Sequence, residues 1–296
     1  MNVRNERFTL QAGSLTALTA ILWGGTTVAI KMALPGIPPL ALAGIRFFLG
    51  GITVWIWARV IGISLKMEPG EKKPLLWLAL LFLLQIYLLN GGTHYSLASR
   101  ATVVISSYPF FTAIFAHYFI SGDRLTRLKF LGMALSFTGV ALIFSESLTL
   151  DAQPYLLGDG MVLGSAVLLG VRLIYLKRLT QDTHPARALI WQMGLSLPVF
   201  CLLSLIFEGD FRLVLDGPIL GALLYQGLIL GGFCFIVLTS LIRRYQTSRI
   251  SVFAFITPVF GVLLSKYLLG EGLSAALLGS MVLVAVGIGI VNYDSN

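Results

Sequence analysis

Ten apolar runs, each about twenty residues long and bounded by charge, proline or glycine, follow one another along the chain. They cover roughly 12–34, 38–60, 74–96, 101–120, 127–146, 157–178, 185–207, 217–241, 250–269 and 272–292. An α-helix rises 1.5 Å per residue, so about 20 apolar residues cross the ~30 Å hydrocarbon core of a bilayer. Backbone polar groups in that core must be satisfied within the protein, which leaves helices or closed barrels, and runs this long and evenly apolar predict helices. Composition agrees. Of 296 residues, 57% are apolar and 11% charged, whereas a typical soluble domain carries about 25% charged residues. Such a chain cannot coat a water-soluble globule, and it is far too apolar for a disordered class. The expected fold is an all-α polytopic membrane protein of ten transmembrane helices with no separate soluble domain. The first run follows Arg4 and Arg7 but exceeds 20 residues and lacks an A-x-A-like cleavage site, so it is expected to be a retained span.

Charge distribution gives an orientation. Fifteen Lys and Arg lie on the side of the N-terminus, among them Arg59, Lys72, Arg127, Arg178 and Arg243, and four lie opposite: Lys31, Arg100, Arg212 and Lys266. Arg46 and Arg172 fall within spans. This bias predicts both termini in the cytoplasm. It also accounts for most of the net charge of +8 without a nucleic-acid partner, leaving membrane lipids as the expected contact for the basic side. The two cysteines, Cys201 and Cys234, both lie in apolar runs and provide neither a disulfide framework nor a four-ligand metal site.

The halves share landmarks at nearly constant offset. Gly24 and Gly170, Lys31 and Lys177, and Pro39 and Pro185 are each 146 apart, and the polar pair Arg46 and Gln192 follows at the same spacing. Arg100 with Arg249 and Pro109 with Pro258 are 149 apart; Asp123 with Glu271 and Gly139 with Gly287 are 148 apart. With five spans in each copy, the second enters the membrane upside down. The expected units are residues 1–146 and 157–296, joined by an outer linker at 147–156. Inverted repeats are a signature of secondary transporters, with the solute site near midplane between the halves.

The run HYSLASRATVVISSYPFFTAIFAHYFISGDRLTRLKFLGMALSFTGVALI at 94–143, its counterpart at 247–291 and the Trp23–Lys31 segment resemble the EamA type of the drug/metabolite transporter superfamily. The resemblance implies ten spans in two five-span units and an inner-membrane permease, most often an exporter of amino acids or related small metabolites, with a central cavity framed by both halves. Asp123 stands where the family pattern usually has Glu, which keeps the charge.

Counting helix rise locates the polar residues at cavity depth. Trp23 and Thr26 in the first span, Arg46 in the second, Gln85 in the third, Tyr108 in the fourth, Gln226 in the eighth and Thr257 in the ninth are the candidate substrate-binding residues. Arg46 could hold a substrate carboxylate, pair with an acid or carbonyl, or snorkel outward. Arg172, five residues before Lys177, is expected to reach the cytoplasmic interface. Pro109 and Pro258 each remove a backbone donor in mid-span, as hinges or as static kinks. Gly24–Gly25 lets a ligand or, more simply, a neighbouring helix approach closely. His94, at the outer end of the third span, is a candidate for proton sensing.

All thirteen acids fall outside midplane, which disfavours proton-coupled export of cationic drugs. Asp123 and Glu271, each just beyond a span, are expected to cap helices or pair with basic groups. There is no H-E-x-x-H, G-x-S-x-G or P-loop, so an enzyme is not expected, and neither is a cofactor or metal. The expected function is export of apolar or aromatic amino acids, or similar small neutral or zwitterionic metabolites, by alternating access through a multi-pass protein of the inner membrane. Export of drugs or nucleotide-like metabolites, and an intramembrane enzyme, are the alternatives. The expected partners are a small-molecule solute and membrane lipids, with the chain as a monomer or homodimer.

Overall fold

The computed structural model describes residues 9–120, 126–147, 155–209, 211–245, 250 and 252–293, and every regular element among them is helical. In chain order these are α1 (Leu10–Gly24), α2 (Thr26–Ala33), α3 (Pro39–Val60), α4 (Lys72–Tyr95), α5 (Ala98–Ile105), α6 (Tyr108–Phe119), α7 (Arg127–Ser147), α8 (Leu156–Asp182), α9 (Pro185–Phe207), α10 (Gly217–Leu224), a π-helical stretch at Tyr225–Cys234, α11 (Phe235–Arg244), a 3-10 turn at Val252–Phe255, α12 (Ile256–Leu269) and α13 (Ala275–Tyr293). Among the described residues, seven helical segments are long and apolar enough to cross a bilayer: Leu10–Ala33, Pro39–Val60, Lys72–Tyr95, Ala98–Phe119, Leu156–Asp182, Pro185–Phe207 and Gly217–Arg244. Three shorter apolar helical stretches accompany them, at Phe130–Ile143, Ile256–Leu269 and Ala275–Ile290.

Local chemistry fixes the helix starts. Pro39 and Pro185 stand in the first turns of α3 and α9, where no intrahelical donor is lost. The Asp216 carboxylate accepts from the Ile219 amide at 2.8 Å and caps α10. Four of the runs expected as single helices are interrupted. The first breaks at Gly25, the fourth at Ser106–Ser107, the eighth widens into the π-helical stretch, and the ninth opens with a 3-10 turn. Irregular backbone at membrane depth needs internal partners, and it has them. The Tyr225 hydroxyl donates to the Leu22 carbonyl beside the first break. Ser106 Oγ and Ser107 Oγ donate to Thr102 O and Val104 O, both at 2.7 Å, at the second.

Two close approaches set the positions of helices around the centre. A Cβ on Gly24 would lie 2.9 Å from Phe260 Cβ and 3.1 Å from the Gly261 amide of α12. A Cβ on Gly170 of α8 would lie 2.8 Å from Phe111 Cβ and 2.9 Å from the Thr112 amide of α6. Glycine at both positions lets the backbones touch. The two sites are one contact written twice, since Gly170 follows Gly24 by 146 residues and Phe260 follows Phe111 by 149.

The helix ends repeat the pattern. Lys31 Nζ donates to the carbonyls of Thr93, His94 and Ser96 at 3.1, 2.9 and 2.6 Å, covering the C-terminal end of α4. Lys177 Nζ donates to Ile242 O and Tyr245 O at 2.6 and 3.0 Å, covering that of α11. Glu208 accepts from the amides of Leu40 and Ala41 at 2.6 and 2.9 Å, and Glu271 from those of Ala98 and Ser99 at 2.8 and 2.9 Å. Each carboxylate thus satisfies orphan donors at a helix start far away in sequence. Glu271 acts here as a cap across elements; Asp123 lies outside the described residues.

Candidate functional site

A cavity of about 100 Å³ lies where α1–α6 meet α8, α11 and α12. Its wall takes Trp23, Thr26 and Thr27 from the first broken run, Arg46 from α3, and Gln85, Ile86 and Leu89 from α4. Thr102, Ile105, Ser106 and Tyr108 come from the second broken run; Leu169, Arg172 and Leu173 from α8; Phe235 and Leu238 from α11; and Thr257 from α12. The breaks in the first, fourth and ninth runs therefore lie beside this space, as irregular backbone in a membrane requires.

Six of the seven residues singled out for solute binding share this wall: Trp23, Thr26, Arg46, Gln85, Tyr108 and Thr257. Gln226 does not. It is fully buried and its Nε2 donates to Ala29 O at 2.9 Å, tying the π-helical stretch to α2. The π winding carries more residues per turn than an α-helix, so counting at 3.6 per turn cannot give its facing. Arg172 corrects the opposite way, for it is 2% exposed and lines the cavity instead of reaching the interface. The signal for it lay in the repeat: Arg172 stands 146 residues after Thr26, the offset that also relates Gly24 and Gly170.

Pro109 is the second residue of α6 and Pro258 the third of α12, both buried and neither in the wall. Each begins a new helix after a break, where a missing N–H costs no intrahelical bond. His94 is exposed, its ring edge-on to Tyr95 at 4.8 Å, and does not border the cavity.

The wall is sticky and cationic. Trp23 meets Phe235 edge-on at 6.0 Å, and Phe82 does so at 6.1 Å. The Arg46 guanidinium lies 4.8 Å from the centre of the Phe47 ring, and that of Arg172 lies 5.1 and 5.5 Å from those of Phe82 and Phe235. Arg172 Nη1 donates to Gln192 Oε1 at 3.3 Å. Gln85 Nε2 donates to Ser165 Oγ at 3.0 Å, Thr26 Oγ1 to Trp23 O at 2.7 Å and Thr257 Oγ1 to Ala20 O at 3.2 Å. The hydroxyls of Thr27 and Thr102 bond to each other and join α2 to α5. No carboxylate is among the wall residues. The arrangement suits a small solute with an apolar body, held by stacking, hydroxyl and amide contacts, and one end that welcomes positive donors.

Comparison with known proteins gives a consistent outcome. The chain is 27% identical over 289 residues to the uncharacterized transporter YvbV of Bacillus subtilis (strain 168), covering 95% of this chain and 91% of the relative. It is 27% identical over 284 residues to a probable amino-acid metabolite efflux pump of Escherichia coli (strain K12), covering 93% of each. It is 28% identical over 270 residues to the uncharacterized inner membrane transporter YedA of the same organism, covering 88% and 84%. A solved crystal structure superposes with a TM-score of 0.72 over 95% of this chain and 97% of its own, at 16% identity, and speaks for the fold alone. The EamA-like transporter family matches residues 11–145 and again 156–293. With nearly the whole chain matched in two successive stretches, this protein is a membrane transporter belonging to the EamA-like transporter family.

Proposed function

We propose that the chain exports small metabolites of amino-acid size, apolar or aromatic amino acids among them, by alternating access across the inner membrane with both termini in the cytoplasm. The carrying observation is the cavity, which gathers Trp23, Thr26, Arg46, Gln85, Tyr108 and Thr257 from six different helices. The name of the E. coli relative, a probable amino-acid metabolite efflux pump, points the same way.

Alternating access rests on two five-span units, residues 1–146 and 157–296, that enter the membrane in opposite senses with 147–156 between them. The contacts that recur with their partners exchanged support this: Gly24 on α12 against Gly170 on α6, and Lys31 on the end of α4 against Lys177 on the end of α11. Such a pair of units can rock about a fixed site. The half-helix starts at Pro109 and Pro258 are the hinges, since the breaks before them let each half-helix tilt. Purified protein in proteoliposomes tests the reading: counterflow of labelled leucine without an imposed pH gradient is expected. Movement of only polyamines or quaternary ammonium compounds would overturn it.

A further inference from the structure

An apolar, aromatic cavity does not by itself require two buried arginines. Arg46 and Arg172 are each 2% exposed, come from different helices and line the same space. Nε of both and Nη1 of Arg46 have no hydrogen-bond partner among the described residues. Guanidinium groups stay protonated in proteins, and a buried charged donor without an acceptor is among the costliest arrangements a protein keeps. The ring faces of Phe47, Phe82 and Phe235 beneath the two groups attract the charge and accept no N–H in the plane of the fork. Among the described residues these donors are therefore left without an acceptor. A carboxylate answers both demands at once, with two oxygens that accept in the geometry of the guanidinium and a charge that offsets it.

We propose that this cavity is an anion site, in which Arg46 and Arg172 together clamp a carboxylate, and that its preferred solute is a small monocarboxylate with an apolar body. The inference rests on the reading of the cavity as the solute site and narrows its chemistry. A zwitterion keeps the clamp but sets its ammonium near two guanidiniums, with Gln85 Oε1 as an unfilled side-chain acceptor in the wall. A cation loses the clamp and keeps the repulsion. The order of affinity is acid, then amino acid, then amine.

One carbon skeleton tests this by calorimetric titration of the purified protein in phosphatidylcholine nanodiscs: 4-methylpentanoate, leucine and 3-methylbutylamine. The acid is expected to bind at least tenfold more tightly than leucine, and the amine not at all. R46Q and R172Q are each expected to weaken the acid at least tenfold and to compress the gap between acid and amine. R46K is expected to recover part of the loss, because it restores charge without the fork. R59Q, an exposed arginine of α3 that lies over Trp55, leaves binding as it was. The ranking on the unaltered protein stands even if a variant fails to fold. Equal affinity for acid and amine, tighter binding of leucine than of the acid, no binding of any of the three, or full acid binding by folded R46Q and R172Q would each overturn the proposal. Acid binding without leucine counterflow removes the transport reading and keeps the anion site. Leucine counterflow without acid preference does the reverse.

Discussion

Arg100 is 3% exposed, hardly more than Arg46 and Arg172 in the central cavity, yet the two regions treat a buried guanidinium in opposite ways. Arg100 meets Asp159 through Nε at 3.1 Å and through Nη2 at 2.7 Å, and gives Nη2 to Ile143 O at 2.7 Å. Asp159 in turn accepts from Ser96 Oγ at 2.5 Å and is fully buried. Charge and donors are answered from within the chain, joining α4, α5, α7 and α8 at one end of the bundle. In the cavity the same chemistry is left open. A satisfied buried ion holds a fold together, while an unsatisfied one raises the free energy of the empty protein and is tolerated where a ligand completes it.

The comparison fails most visibly at Asp159. Asp159→Asn removes the buried carboxylate that Arg100 Nη2 meets at 2.7 Å, and a loss of about 3–5 kcal/mol is expected in the unfolding free energy in lipid or detergent. A loss below about 1 kcal/mol would show that the end cluster is not structural in the sense drawn here.

Next come the lysines that donate to carbonyls at helix ends. Lys177→Met leaves Ile242 O and Tyr245 O uncovered, and Lys31→Met leaves Thr93 O, His94 O and Ser96 O. A hydrogen bond to a charged group contributes about 1.5–3 kcal/mol, so a loss in that range is expected for each. Similar values would support equivalence of the two helix-end contacts, and a large disparity would argue against it.

Arg46→Gln and Arg172→Gln should go the other way. Removing a buried charge that meets no carboxylate among the described residues is expected to leave stability unchanged or raise it by up to about 1 kcal/mol, measured by the same unfolding titration without solute. A loss as large as that of Asp159→Asn would erase the distinction between the two regions.

The smallest effect belongs to a basic group that avoids the problem by staying neutral. His184 precedes α9, half-buried, and its Nδ1 accepts from the Ala186 amide at 3.2 Å. Burial, with Arg243 and Arg187 nearby, lowers its pKa from the ordinary 6.5. A lowered histidine pKa means that the unfolded chain binds the proton more readily, so its contribution is present above the ordinary value and fades as pH falls below it. The thermal midpoint of the wild type is expected to drop slightly more between pH 7.5 and 5.5 than that of His184→Asn, which keeps a capping acceptor without titrating. Parallel curves would remove His184 from the account.

Much of this was legible before any coordinates. Helix rise is local, so counting along a run gave the depth of Trp23, Arg46, Gln85, Tyr108 and Thr257, and all five reach the cavity wall. The shared offset of the two halves was visible in Gly24 and Gly170, which make matching contacts. Facing was another matter. Gln226 sits in π winding that rotates it against Ala29, and Arg172 turns inward where its nearness to Lys177 suggested an interface. The rotation of a helix about its own axis is set by the neighbours it packs against, which lie far away in sequence.

By itself the sequence determined the solvent and the helical class, because apolar length and rise per residue are properties of short segments. Only the tertiary structure decided which arginine finds an acid. Arg100 and Asp159 are separated by 59 positions, and nothing local to either pairs the two. That assignment depends on which helices meet, and it divides the buried cations between holding the bundle together and waiting in its cavity for an anion.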